Sequence, residues 1–201
     1  MIYYRFIHSQ NPNYMLSNCA SACTVVAEQK LKDDKELASI SSFFDLSAKD
    51  IHGNVLEFAE FKGDVTIIVN VASYCGYTDS HYKQLVQLWN DVKDTGRIRL
   101  LAFPCNQFGA QEPASNNEIL EFTQANYGVE FTMMSKLEVN GNDAHIVYKY
   151  LKHVAGPPTI GWNFATYFVV GPDGSVQSFS GAEPKDLKAI ALDLIGMEEE
   201  L

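Results

Sequence analysis

Val65-Thr66-Ile67-Ile68-Val69-Asn70-Val71-Ala72-Ser73-Tyr74-Cys75-Gly76-Tyr77-Thr78 is the stretch whose reading decides the fold. Val65–Ala72 is apolar and β-branched on both parities, the pattern of a strand covered on both faces. Ser73–Gly76 breaks that run. A helix is predicted to begin near Thr78 or Asp79, with Tyr82, Leu85, Val86 and Trp89 on its apolar side at spacings of three and four. Ile98–Pro104 reads as a second buried strand. Strand, helix and strand make a βαβ unit, whose crossover is right-handed and whose sheet is locally parallel.

Working outward, Phe43–Ala48 and Val55–Phe58 flank the polar turn Lys49–Asn54 and read as a hairpin. Downstream, Ser115 and Glu118 form a capping box ahead of Ile119, Phe122 and Tyr127, the apolar face of another helix. His145–Lys152 is predicted to be a short helix, stopped by Gly156-Pro157-Pro158. Ala165–Val170 and Ser175–Phe179 flank Gly171-Pro172-Asp173-Gly174 and should pair as an antiparallel hairpin. Leu187, Ile190, Ala191 and Leu194 give a closing helix. This order is that of a thioredoxin-like α/β fold, a central mixed sheet flanked by helices with a β-hairpin at its N-terminal side.

The domain so defined runs over residues 43–201, and residues 1–42 read as a poorly ordered extension. Within the extension, Met15–Ala27 has the small and apolar residues of a weak signal peptide without a Leu-rich core. The expected address is therefore the cytoplasm, with the secretory pathway as the alternative. A length of 201 residues at 46% hydrophobic composition suits one domain with a full core. The longest apolar runs, Val65–Ala72 and Ile98–Pro104, fall far short of the roughly 20 residues that cross a bilayer. A formal charge of -10 argues against nucleic acid or an anionic membrane as the main partner. Four cysteines, Cys19, Cys23, Cys75 and Cys105, are too few for a disulfide scaffold and have no zinc-site spacing.

Cys75 follows a buried strand and precedes a helix. The unpaired N–H groups and positive dipole end of a helix favour thiolate over thiol, and ligands of open α/β sheets gather at the carboxyl ends of strands. Position and electrostatics single out Cys75 as a reactive thiol; a buried inert thiol is the rival reading. Cys105, at a strand end after Phe103-Pro104, reads as structural, and Cys19 and Cys23 as incidental. The histidines show no useful pairing with a cysteine or carboxylate, so no metal site is expected.

Asn70-Val71-Ala72-Ser73-Tyr74-Cys75-Gly76 resembles the active-site motif of the glutathione peroxidases, whose reacting residue is selenocysteine or cysteine. Leu101–Pro113, with Asn106-Gln107-Phe108-Gly109-Ala110-Gln111-Glu112-Pro113 at its end, is similar to that family's second signature, and Trp162-Asn163-Phe164 to its third. The similarity spans about Phe43 to Ile195. The resemblance implies Cys75 as nucleophile, Gln111 and Trp162 as hydrogen-bond donors beside it, and Asn163 as a further polar partner; Gln107 is not the matching glutamine. It implies hydroperoxide substrates and glutathione as co-substrate, with no bound cofactor, and leaves open selenocysteine at position 75 in the natural product.

Two comparisons with the family sharpen the expectation. In Glu121–Gly128, Thr123 stands where thioredoxin-using members often carry a resolving cysteine, which points to an external thiol such as glutathione. Val139–His145 resembles the monomeric phospholipid-hydroperoxide branch, which implies a monomer in transient contact with a lipid surface. His153–Gly161 lacks the Lys and Arg often found in that branch. Lys136, Lys149 and Lys152 are the candidate phosphate contacts, against the plain alternative of a solvated face. The rival function is a redox relay, in which oxidised Cys75 passes its oxidation to a protein thiol.

Overall fold

The computed structural model describes residues 35–197. The chain divides into two compact units, Met1–Ser39 and Ile40–Leu201. Of the first only residues 35–39 are described, and they are helical. The readings placed on Met15–Ala27, Cys19 and Cys23 lie outside the described residues. All that follows concerns the second unit.

Its centre is β3 (Val65–Val71), every residue of which is buried. β3 runs parallel to β4 (Ile98–Pro104) in the register Val65↔Ile98 and antiparallel to β6 (Thr166–Val170). β5 (Thr132–Met133) extends the β4 side in parallel, and β7 (Val176–Ser180) closes the other edge against β6. A strand with neighbours on both edges and cover on both faces has no polar face, which is why β3 reads as a continuous apolar run. Helix α1 (Thr78–Val92) connects β3 to β4 and buries Tyr82, Leu85 and Leu88 against the sheet. Val86 and Trp89 are only partly buried, so the apolar stripe is centred nearer Leu88 than the sequence pattern suggests.

Helix α2 (Asn116–Tyr127) starts at the expected capping box: Ser115 Oγ accepts from the Glu118 N–H, and the Glu118 carboxylate accepts from the Ser115 N–H at 2.8 Å. Helix α3 (Ile146–Ala155) takes His145 as its N-cap, running three residues past the predicted end before Gly156 stops it. Helix α4 (Leu187–Leu194) packs Leu187, Ala191 and Leu192 into the core.

The hairpin at the start is shorter than predicted. Only β1 (Ser47–Lys49) and β2 (Val55–Glu57) pair; Phe43–Asp45 and Phe58–Phe61 are 3-10 turns instead. The cause is local capping and aromatic burial. Ser42 and Asp45 cap the first turn, and the Phe43 and Phe58 rings stack at 4.7 Å with both side chains fully buried. The hairpin is tied to the main sheet through the Ile51 N–H to Met133 O and the Ser135 N–H to Lys49 O. β5, whose Thr132–Met133 carries no alternation, was not legible beforehand.

Candidate active site

Cys75 is a free thiol, 8% exposed, in the turn between the end of β3 and the start of α1. Thr78 fixes this turn. Its Oγ1 donates to Ala72 O at 2.7 Å and accepts from the Cys75 N–H at 3.0 Å, while the Thr78 N–H donates to Cys75 O. The backbone on both sides of Cys75 is thereby held, and the neighbouring Tyr74 and Tyr77 side chains stand out into solvent at 66% and 53% exposure.

Two other loops meet this turn. The first follows β4: the Tyr74 N–H donates to Gln111 O at 3.0 Å, so the residue before Cys75 is bonded to the main chain of Gln111. Gln111 folds back over Gly109, and its Oε1 is buried with no hydrogen-bond partner. Gln107 is used otherwise. Its Oε1 accepts from the N–H groups of Val139 and Asn140, and its Nε2 donates to Asn140 O. Of the two glutamines in the motif, one is spent on a loop and the other keeps a buried polar atom unmatched.

The second loop precedes β6. Asn70, the one amide in the apolar strand β3, donates from Nδ2 to Trp162 O at 3.2 Å and to Asn163 Oδ1 at 3.0 Å. The Phe164 N–H donates to Asn70 O. Asn163 is fully buried, and its Nδ2 is a donor with no partner. Trp162 is 38% exposed and leans on Phe108, with ring centroids 5.6 Å apart. Thus Cys75, Gln111, Trp162 and Asn163 lie on three loops that are joined to one another at the carboxyl end of β3.

Backbone strain marks the same place. Ala110 (φ 52°) and Phe164 (φ 63°) are the described non-glycine residues with positive φ. They are the immediate neighbours of Gln111 and Asn163. Such conformations cost on the order of 1–3 kcal/mol each and collect where surrounding structure holds a working geometry.

The three lysines are placed differently. Lys136 Nζ donates to the carbonyl oxygens of Glu112, Pro113 and Ala114, so it pins the Gln111 loop from behind. Lys152 Nζ donates to Val139 O at 2.6 Å; burial, with the nearby Lys149 charge, lowers its pKa. Lys149 is half-buried on α3. Cys105 is fully buried, its N–H donating to Val71 O, and burial pushes its thiol pKa up. Thr123 is also fully buried, its hydroxyl donating to Leu120 O within α2.

Residues the sequence reading did not single out complete the site. Glu112 and Ser73 are buried together, and Ser73 Oγ donates to Glu112 Oε2 at 3.2 Å. His81 is buried on α1 with Nδ1 2.6 Å from the Tyr167 hydroxyl; burial lowers its pKa. A cleft of about 800 Å³, lined among others by Tyr77, His81, Trp162, Phe164 and Glu183, adjoins the site through Tyr77 and Trp162, although Cys75 does not line it. A polar residue inside an apolar strand was a readable signal for Asn70; nothing in the local pattern announces that Glu112 is buried. Among the described residues no cluster of three or more His, Cys, Asp or Glu could hold a metal ion.

Fold and relatives together define the class, a thiol-dependent hydroperoxide reductase built on a thioredoxin-like sheet. The chain belongs to the glutathione peroxidase family, whose model matches residues 43–152. It is 47% identical over 144 residues to the glutathione peroxidase-like peroxiredoxin 2 of Saccharomyces cerevisiae, covering 70% of this chain and 88% of the relative. It is 47% identical over 138 residues to a probable phospholipid hydroperoxide glutathione peroxidase of Mesembryanthemum crystallinum, covering 67% of this chain and 80% of that one. Among solved structures, T. cruzi GPX1 superposes with a TM-score of 0.63 at 32% identity, covering 78% of this chain and 98% of that chain.

Proposed function

We propose that this chain reduces hydrogen peroxide and organic hydroperoxides, phospholipid hydroperoxides included, at Cys75, with glutathione as the reductant and as a monomer. The observation that carries the reading is the joining of two loops beside the Cys75 turn, one through Tyr74 N–H to Gln111 O and one through Asn70 of β3 to Trp162 O and Asn163 Oδ1.

The Cys75 thiolate attacks one peroxide oxygen: an S–O bond forms, the O–O bond breaks, and sulfur is oxidised to sulfenic acid while the leaving alkoxide takes a proton to become an alcohol. Charge moves onto the oxygens during that attack. Gln111, Trp162 and Asn163 are the donors that hold the peroxide and meet the charge; the unpartnered Asn163 Nδ2 is already buried and needs no desolvation when substrate arrives. One glutathione then condenses with the sulfenic acid, releasing water and leaving a mixed disulfide. A second glutathione thiolate attacks that disulfide, freeing the Cys75 thiolate and oxidised glutathione. Thr123 in the body of α2 supports an external thiol at both steps.

Lys136, Lys149 and Lys152 are the proposed contacts to a phospholipid head group. Lys136 and Lys152 already donate to main-chain carbonyls, so their contribution is residual positive charge. Steady-state turnover of phosphatidylcholine hydroperoxide and of hydrogen peroxide, coupled to glutathione oxidation, tests the assignment. Turnover lost in Cys75→Ser is expected. Negligible turnover with glutathione, together with a Cys75 disulfide to a single protein partner, would replace it with the relay.

A further inference from the structure

Glu112 is fully buried. Ser73 supplies the bonds its carboxyl receives, from the hydroxyl to Oε2 and from the backbone N–H, while Oε1 has no hydrogen-bond partner. The residue also closes a joint between two site loops. Its N–H donates to Asn106 Oδ1, its neighbour Gln111 accepts from the Tyr74 N–H, and Ser73 stands two residues before Cys75.

Lys136 is the cation on this side, yet its ammonium donates to the carbonyl oxygens of residues 112–114. A carboxylate there would be a buried charge with one oxygen unmatched and no bonded counter-ion, which costs far more than a neutral acid with one idle oxygen. The other titratable groups around it supply no compensating charge. Tyr82 of α1 has a buried, unpartnered hydroxyl, and Cys105 at the end of β4 is a buried thiol; the Glu112 charge is among the causes raising the pKa of each. Burial accordingly lifts the Glu112 pKa to about 7, against the opposing pull of Ser73 and Lys136.

Resting on the reading of Cys75 as the peroxide-reacting thiol, we propose that Glu112 is a positioning residue for that step, a buried carboxyl that must carry its proton for Cys75 to react at full rate. With the proton in place, Glu112 links the Ser73–Cys75 turn to the Gln111 loop without adding charge. Once the proton leaves for solvent, a negative charge sits behind the turn. It opposes both the Cys75 thiolate and the negative charge that grows on the departing oxygen. The carboxyl neither bonds to substrate nor exchanges electrons; it acts through the field and through Ser73. As a general scale, at an effective dielectric of about 20 a unit charge within about 12 Å of a reacting centre changes the step about tenfold or more.

The test is single-turnover oxidation of Cys75 by hydrogen peroxide in the full chain. Sulfenic acid is trapped and quantified by mass spectrometry, from about pH 5.5 to about pH 8.5, across the range where a group near 7 changes charge. For Glu112→Gln the ratio of variant to wild-type rate should be near one at the acid end and climb about tenfold at the alkaline end. A ratio that is flat with pH, whether above or below one, overturns the proposal, because a purely structural role lowers the rate at all pH values alike. Ser73→Ala removes a bond that favours the ionised form, so its rate should hold up to higher pH than wild type; an unchanged profile counts against the proposal. Difference infrared spectroscopy of the wild-type chain needs no variant, and it should show a protonated carboxylic acid lost as pH rises through about 7. Its absence overturns the proposal even where Glu112→Gln fails to fold. Failure of wild-type Cys75 to oxidise at any pH would instead sink the peroxidase reading itself.

Discussion

At the scale of single residues, the site gathers several polar atoms that are buried and left unmatched. Gln111 Oε1, Asn163 Nδ2 and Glu112 Oε1 are all buried without partners. An idle buried polar group costs about 1–3 kcal/mol, so each of the three subtracts from stability. Replacing Gln111 by Ala, or Trp162 by Phe, is expected to slow Cys75 oxidation about 10²-fold in stopped-flow measurements, the usual cost of removing one donor from a developing charge. Glu112 carries a stability signature as well. Its folded pKa of about 7 lies above the ordinary 4.5, so the folded state holds an extra proton between those values. Its contribution is therefore fully present below about pH 4.5 and is lost as pH rises through about 7, a change of up to about 3 kcal/mol. Denaturant melts of wild type and Glu112→Gln should converge at acid pH and separate in favour of the variant above neutrality. Asn70 could be noticed in the sequence because an amide interrupts a β-branched run. Glu112 could not, since Gln-Glu-Pro is an ordinary loop composition and only the closure of residues 106–114 over Ser73 buries it.

At the scale of elements, the legible parts were those whose burial is periodic. β3 and β4 announced themselves through unbroken apolar runs, and α2 through its Ser115/Glu118 box. The 3-10 turns at Phe43–Asp45 and Phe58–Phe61 did not, because stacked aromatic rings hold them and such pairing depends on tertiary contact. The turn that carries Cys75 depends on Thr78 in the same way. Thr78→Ala removes the hydroxyl that bonds both Ala72 O and the Cys75 N–H, and a loss of about 1–2 kcal/mol in chemical denaturation is expected. Ala110→Gly tests whether strain serves geometry. Glycine accepts positive φ without penalty but loosens the unfolded chain, so stability should move by less than about 1 kcal/mol. Peroxidase rate should nonetheless fall several-fold as Gln111 gains freedom, read as a lower kcat/KM for hydrogen peroxide.

At the scale of the whole molecule, the charge of -10 sets the terms on which surfaces are met. Replacing part of a phosphatidylcholine vesicle by phosphatidylserine should reduce the rate on embedded hydroperoxide, and added salt should restore it, because screening at about 0.15 M ionic strength acts beyond roughly 8 Å. A vesicle rate that rises with phosphatidylserine would place a basic patch where the lysines of α3 lie. Thr123 has the widest consequence. With a buried hydroxyl at Thr123, the proposed sulfenic acid on Cys75 finds no resolving thiol within α2. Its next encounter decides its fate: a thiol from solution returns it to service, whereas another peroxide drives the sulfur to sulfinic acid, from which thiols cannot recover it. On the proposed external-thiol cycle, the protein works like a fuse whose rating is the local thiol supply, conducting while reductant is plentiful and burning out when it is exhausted.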